Sequence, residues 1–165
     1  GVDPVAEVEA GRSAIQEAVG LAPNTLVLSW PVYQAVRNHP KITDRVKYMQ
    51  FGVVGVEELA RLFDVETVLV GRAFRNTAAR GQAAQLEYVW GQDALLLHAP
   101  ARAGLKSIAL ALTFVWAVAP GSLNGRLVEL WREERRKADM IRVQKYYDLK
   151  LVAPPAGYLW KSAVS

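Results

Sequence analysis

An α+β fold is predicted by three features of this 165-residue chain. Helical spacing of apolar residues is confined to the part before Asp64. Beyond it, apolar residues mostly alternate with polar ones, the period of strands with one covered face. Breaks such as Asn124-Gly125 and Pro154-Pro155 divide that second part into segments suited to antiparallel pairing.

The elements follow in order. Asp3 and Pro4 open the first helix, as N-cap and first helical residue. Val5, Val8, Ile15 and Val19 then share a face, and Gly20 supplies the stop. "PNTLVLS" holds a short apolar strand over 25–28. "WPVYQAVRNHP" reads as a helix opened by Pro31 and closed before Pro40, with a further helical turn or two over 41–50. "VEELARLF" is a helix with Leu59, Leu62 and Phe63 on its apolar side, and "VETVLVGRA" a strand over 65–70. Residues 72–92 carry Arg72, Arg75 and Arg80 among small and polar side chains, with little periodicity. They read as a long surface excursion, expected to be mobile. "DALLLHAP" and "IALALTFVWAVAP" are strands; in the second, Leu110, Leu112, Phe114, Trp116 and Val118 share a face. Asn124-Gly125 is a hairpin signal and places the next strand near Arg126.

The most regular stretch comes near the end. Ile141, Val143, Tyr147, Leu149 and Leu151 hold odd positions, and Arg142, Gln144, Tyr146, Asp148 and Lys150 even ones. Only Lys145 breaks the rule. The alternation predicts a long strand of ~40 Å at ~3.3 Å per residue, with its odd face buried. Pro154 and Pro155 end it, and "AGYLWKSAV" forms a last strand.

Composition bounds the function. Hydrophobic residues are 52% and charged residues 22%, enough for a core and unlike a disordered chain. Residues 1–70 carry 6 Lys/Arg against 9 Asp/Glu, and residues 71–165 carry 14 against 7. Such a split suits head-to-tail attraction between copies, contact of the basic part with nucleic acid, or simple solvation. The absence of cysteine excludes disulfides and thiolate metal sites. No apolar run approaches the roughly 20 residues of a membrane-spanning helix. The start, "GVDP", has neither a secretory-leader pattern nor an initiating Met, and reads as a cut or processed end of something longer.

A search for chemistry yields little. His39 lies in a turn and His98 ends a strand, and two separate histidines make a poor metal set. Ser29 stands between strand and helix, but "LSWPV" lacks the glycines of a nucleophile elbow. "GVVGVEE" lacks the endings of phosphate or dinucleotide loops. Glu133 and Glu134 could pair as acid and base, but Arg132, Arg135, Arg136 and Lys137 around them would hold both ionised. Alternating acids and bases suit protein–protein complementarity, or a solvated tip, better than nucleic acid. No catalytic residue, metal site or cofactor is expected, and the chain is not read as an enzyme.

The order of segments resembles the major capsid proteins of tailed bacteriophages, the Hong Kong 97-type or Johnson fold. The likeness rests on "DPVAEVEAGRSAIQEAVG" as a spine helix, "NTLVLSWPVYQAVRNHP" as a strand with a proline-initiated helix, "VETVLVGRA" and "YVWGQDALLLHAP" as strands, and "REERRKADMIRVQKYYDLKLVAPPAGYLW" as a charged tip, long strand, proline break and final strand. The resemblance implies a peripheral domain over 1–22 and 126–152, with spine helix and long β-hairpin. It implies an axial domain over 23–125 and 153–165, a mainly antiparallel sheet flanked by short helices. Arg132, Glu133, Glu134, Arg135, Arg136 and Lys137 would be a subunit interface at the hairpin tip. Arg72, Arg75 and Arg80 would lie on an axial loop, as would the turn at 120–125. The implied role is a shell protein assembling into hexamers and pentamers around packaged DNA, without sequence specificity. Scaffold or decoration proteins are further implied partners, and no membrane is. The implied location is the virion, with the bacterial host cytoplasm during assembly. The family's N-terminal arm and extended loop are expected to be lacking from this stretch. A bacterial encapsulin-like nanocompartment shell shares the fold and stays open as an alternative. A small enzyme or nucleic-acid-binding domain is the remaining one.

Overall fold

The computed structural model describes residues 3–47, 54–104, 106–116 and 125–164. They group into two compact units: Gly1–Leu110 with Ala153–Ser165, and Ala111–Val152.

The first unit is a four-stranded sheet with helices packed on one face. α1 (Pro4–Val19) starts where Asp3 accepts the Val5 amide at 3.1 Å and stops at Gly20, whose φ of 71° is cheap only for glycine. β1 (Thr25–Ser29) leads into α2 (Trp30–Arg37), capped by the Ser29 hydroxyl. α3 (Pro40–Lys47) follows; the expected continuation through 48–50 lies outside the described residues. α4 (Val56–Leu62) opens at Gly55, whose amide donates to Glu58 at 2.9 Å. β2 (Thr67–Gly71) then pairs parallel with β1, a pairing that needs the long helical crossover between them. β5 (Ala94–Leu97) pairs antiparallel with β1, and β10 (Gly157–Trp160) with β5, giving the order β10-β5-β1-β2.

Register explains the core. Leu26 aligns with Val68 and Leu96, and Leu28 with Ala94, so their side chains share one face. All five are buried, with Val5, Val8 and Ile15 of α1, Val32 and Tyr33 of α2, and Leu59 of α4. Gly11 lets α1 approach closely: a Cβ there would meet the Trp160 ring at 2.8 Å.

Residues 72–92 hold a short hairpin within the expected surface excursion. β3 (Phe74–Asn76) pairs antiparallel with β4 (Leu86–Tyr88), tied by Phe74 against Tyr88 at 4.3 Å between ring centroids. Three-residue strands of mixed polarity carry too few positions for a period to register, so the hairpin leaves little trace in the sequence.

The second unit is a ribbon. β6 (Ala111–Val115) pairs with β9 (Tyr147–Leu151), and β7 (Arg126–Glu133) with β8 (Ala138–Lys145), both antiparallel. The predicted long strand is therefore β8 and β9 in succession, changing partners at Tyr146. There the Tyr146 amide donates to Gly125 at 2.7 Å, and its carbonyl accepts from the Trp116 amide at 3.2 Å. The expected contribution of Val118 to a strand face and most of the turn at 120–125 lie outside the described residues. A short 3-10 turn over Pro154–Ala156, in the first unit, follows β9.

The expectation that the odd face of the long strand is buried is corrected. Ile141, Val143, Tyr147, Leu149 and Leu151 are all exposed in this chain. The alternation sorted the faces correctly; among the described residues, however, the ribbon has two strands at each level and no layer of its own unit over that face.

By contact, α1 groups with residues 23–110 and residues 111–125 with the ribbon. Peripheral and axial are roles within an assembly, which contacts inside one chain do not assign.

Candidate assembly surface

The ribbon face can be built residue by residue. Val128 aligns with Val143 and Leu130 with Ile141, so four branched or long apolar side chains stand together. Leu130 is 71% exposed and Ile141 67%. The same face of the β6–β9 ladder shows Val115 opposite Tyr147, Thr113 opposite Leu149, and Leu151 opposite Ala111. Leu149 is 68% exposed. Odd positions of β8 and β9 alternate in step through Tyr146, so the two groups face the same way along the ribbon. Arg126 and Lys145, aligned with each other, separate them, and Lys145 lies over the Tyr147 ring at 4.6 Å.

The opposite face covers itself better. Arg142 donates to Glu129 at 2.6 Å and sits over Trp131 at 5.9 Å from the ring centroid. Trp116 packs edge-on to Tyr146 at 5.7 Å. Long polar stems shield apolar surface there, whereas on the other face Lys145 covers only the Tyr147 ring.

A two-stranded ribbon is at best marginally stable in water, and burying one such apolar side chain is worth roughly 1.5–3 kcal/mol. Eight large apolar groups along one face thus favour a covering layer strongly. Contiguous exposed apolar surface of this kind marks an interaction site more than a solvated one.

The tip carries the predicted charges. Arg132 and Glu133 end β7, and Glu134, Arg135, Arg136 and Lys137 form the turn. Lys137 adopts a φ of 49°. Arg132 reaches Asp139 at 3.0 Å and Glu134 at 3.6 Å, and Arg136 lies 4.0 Å from Glu133. These pairs are exposed and worth about 0–1 kcal/mol each. Among the described residues Arg135 and Lys137 have no ionic partner, leaving the tip two free cations.

Arg72, Arg75 and Arg80 do not converge. Arg72 stacks over Trp30 at 4.3 Å, Arg75 pairs with Glu87 at 3.5 Å across the β3–β4 hairpin, and Arg80 stands exposed in its turn.

The enzymatic candidates resolve into structural roles. Ser29 is fully buried and caps α2. His39 accepts the Lys41 amide through Nδ1 at 3.3 Å, and His98 Nδ1 lies 2.9 Å from the Ala22 carbonyl. A cavity of about 650 Å³ between α1, α2 and the sheet is lined mainly by apolar groups such as Val8, Leu28, Val32 and Trp160. Among the described residues Glu7 and His39 are its only titratable lining residues. Among the described residues no three His, Cys, Asp or Glu side chains gather as metal ligands, and no helix is long and apolar enough to cross a membrane.

The exposed ribbon face was the feature that sequence reading missed. Its signal was present, since the alternation named the residues, but period alone does not say what covers a face.

No protein-family profile matches the chain. It is 29% identical over 161 residues to the major capsid protein of Burkholderia phage BcepMu, across 96% of this chain and 50% of that protein. It superposes with a TM-score of 0.81 on the crystal structure of a phage-related protein from Bordetella bronchiseptica RB50. That match has 28% identity and covers 98% of this chain and 51% of the other. The chain thus spans about half the length of either. Its mixed α+β fold is shared with that phage-related protein.

Proposed function

We propose that this chain is the part of a phage or prophage shell subunit, of the Hong Kong 97 type, that meets neighbouring copies through its ribbon. The carrying observation is the row of exposed apolar residues on one ribbon face, from Leu130 and Ile141 to Leu149 and Leu151. A shell needs such surface on every subunit, because each copy buries part of itself against its neighbours. The similarity to a phage major capsid protein supports the reading. In it, the ribbon with its tip of Arg132, Glu133, Glu134, Arg135, Arg136 and Lys137 is peripheral, and α1 is the spine helix of that domain. The four-stranded sheet is axial. Arg72, Arg75 and Arg80 sit on an axial loop. The protein forms hexamers and pentamers that enclose DNA in the virion, after assembly in the bacterial cytoplasm. Its role is structural and not enzymatic.

The test is electron microscopy with sedimentation of the protein that contains this chain, over a range of concentrations. Rings, sheets or shells are expected. A monomer at every concentration would sink the reading. Shells from cells that enclose a protein cargo and no DNA would place it with nanocompartments instead. Reversing the charges at 132–137 is expected to weaken assembly most at low salt, where exposed charges act furthest; unchanged shells at all salt concentrations would leave the tip a solvated turn.

A further inference from the structure

The apolar ribbon face has a complementary surface on the same chain. α1 turns Val5, Val8, Gly11 and Ile15 inward and leaves Ala6, Ala10, Ser13 and Ala14 outward. Those small residues are flanked by Glu7, Glu9 and Glu17, all exposed and without an ionic partner among the described residues. Arg12, the helix's one cation, is drawn away to the Phe63 and Asp64 carbonyls and the Asp64 carboxylate. The outward face of α1 is therefore small in its middle and acidic towards both ends.

The β7–β8 part of the ribbon is the converse. Its middle is Val128, Leu130, Ile141 and Val143, its base carries Arg126 and Lys145, and its tip carries free Arg135 and Lys137. Lengths agree as well: 16 helical residues span ~24 Å, and eight strand residues ~26 Å.

We infer that the apolar face of the β7–β8 ribbon docks on the outward face of α1 of a second copy. Small residues on the helix let the leucine and isoleucine side chains reach its backbone. The carboxylates of Glu7 and Glu9 meet one cationic end of the ribbon, and Glu17 meets the other. The contact is head-to-tail, between two different surfaces, so each copy can both give and receive it and a closed ring or an extended array follows. The patch is small beside the ~800 Å² per partner of a stable pair, so it acts as one contact among several in an assembly and not as a lone dimer. This inference rests on the shell reading above.

The absence of cysteine makes it testable. Val143→Cys is placed in one preparation of the protein and Ala10→Cys in another; the two are mixed, assembled and treated with a short bis-maleimide. A species of doubled mass on denaturing gels is expected only when both variants are present. It should be lost with Arg126→Glu and Lys145→Glu, and regained when the partner carries Glu7→Lys and Glu9→Lys. Leu130→Cys replaces Val143→Cys if the latter does not fold. Three results would overturn the contact: a ribbon cysteine that stays reactive to a monofunctional maleimide in assembled particles, one already protected in the monomer, or one protected by assembly but never joined to Ala10→Cys. Failure of the unsubstituted protein to assemble would instead sink the shell reading itself.

Discussion

Gly11 shows how one residue sets the distance between α1 and the sheet. Alanine gains ~1 kcal/mol of helix propensity over glycine, but its Cβ would lie 2.8 Å from the Trp160 ring. That ring is held by Tyr158, whose centroid is 4.7 Å away. Overpacking typically costs ~1–3 kcal/mol, so the clash outweighs the propensity. Gly11→Ala is expected to lower stability by about 1 kcal/mol, with an unchanged denaturant slope. A gain in midpoint would mean that Trp160 gives way freely. Asp3 acts electrostatically at the same helix. Partial burial pushes its pKa up, but hydrogen bonds from Lys41 and the Val5 amide, with the charges of Lys41 and Arg45, outweigh burial and hold it below its ordinary 3.8. A lowered carboxylate contributes stability that is present above pH 3.8 and lost as pH falls through the folded value. Asp3→Asn should thus destabilise at neutral pH and converge on the native protein in acid. An equal deficit at both pH values would assign the loss to the cap alone. The cap itself was legible, because Asp-Pro before an apolar helix has few other uses; the Trp160 contact was not, since Gly11 meets a residue 149 positions away.

At the scale of elements, the ribbon depends on Gly125. Its φ is 73°, and a Cβ would crowd the Tyr146 carbonyl at 2.9 Å and the Val115 side chain. A left-handed non-glycine residue costs roughly 1–2 kcal/mol before any clash. Gly125→Ala is expected to speed amide exchange across β8 and β9 near Tyr146, where the two ladders meet; protection equal to the native protein would contradict that. β7 starts at Arg126, where a strand was expected, but among the described residues β6 and β7 pair with other strands and not with each other, so Asn124-Gly125 did not mark a hairpin between them. The partner change at Tyr146 was less legible. Lys145, the one polar residue at the odd positions of the long strand, stands next to it, but a lysine at the join of two ladders looks in sequence like any other interruption. Helices were read well because their end signals are local chemistry: Asp3, Pro31 and Gly20 each act within a few residues, although the cap at Ser29 was not read as one. β3 and β4 were missed because three residues cannot show a period.

For the whole molecule, alternation from Ile141 to Leu151 assigned faces correctly and assigned burial wrongly. Period reports which side chains point together, whereas burial needs a second layer; in the proposed reading a neighbouring copy supplies it. The charge split, with an acidic first part and a basic second part, left contact between copies, nucleic acid and simple solvation open alike. What composition could not convey is that the free carboxylates line α1 and the free cations bracket the ribbon. The most direct measurement is assembly of the protein carrying Leu130→Asp with Ile141→Asp. Both side chains are about two-thirds exposed, but they are cross-strand partners, so two carboxylates there also weaken the ribbon itself by roughly 1 kcal/mol, and unfolding of the isolated subunit is measured alongside to show that it still folds. Sedimentation and microscopy should find that rings and shells are lost. Normal shells from a protein with two carboxylates on that face would contradict the account.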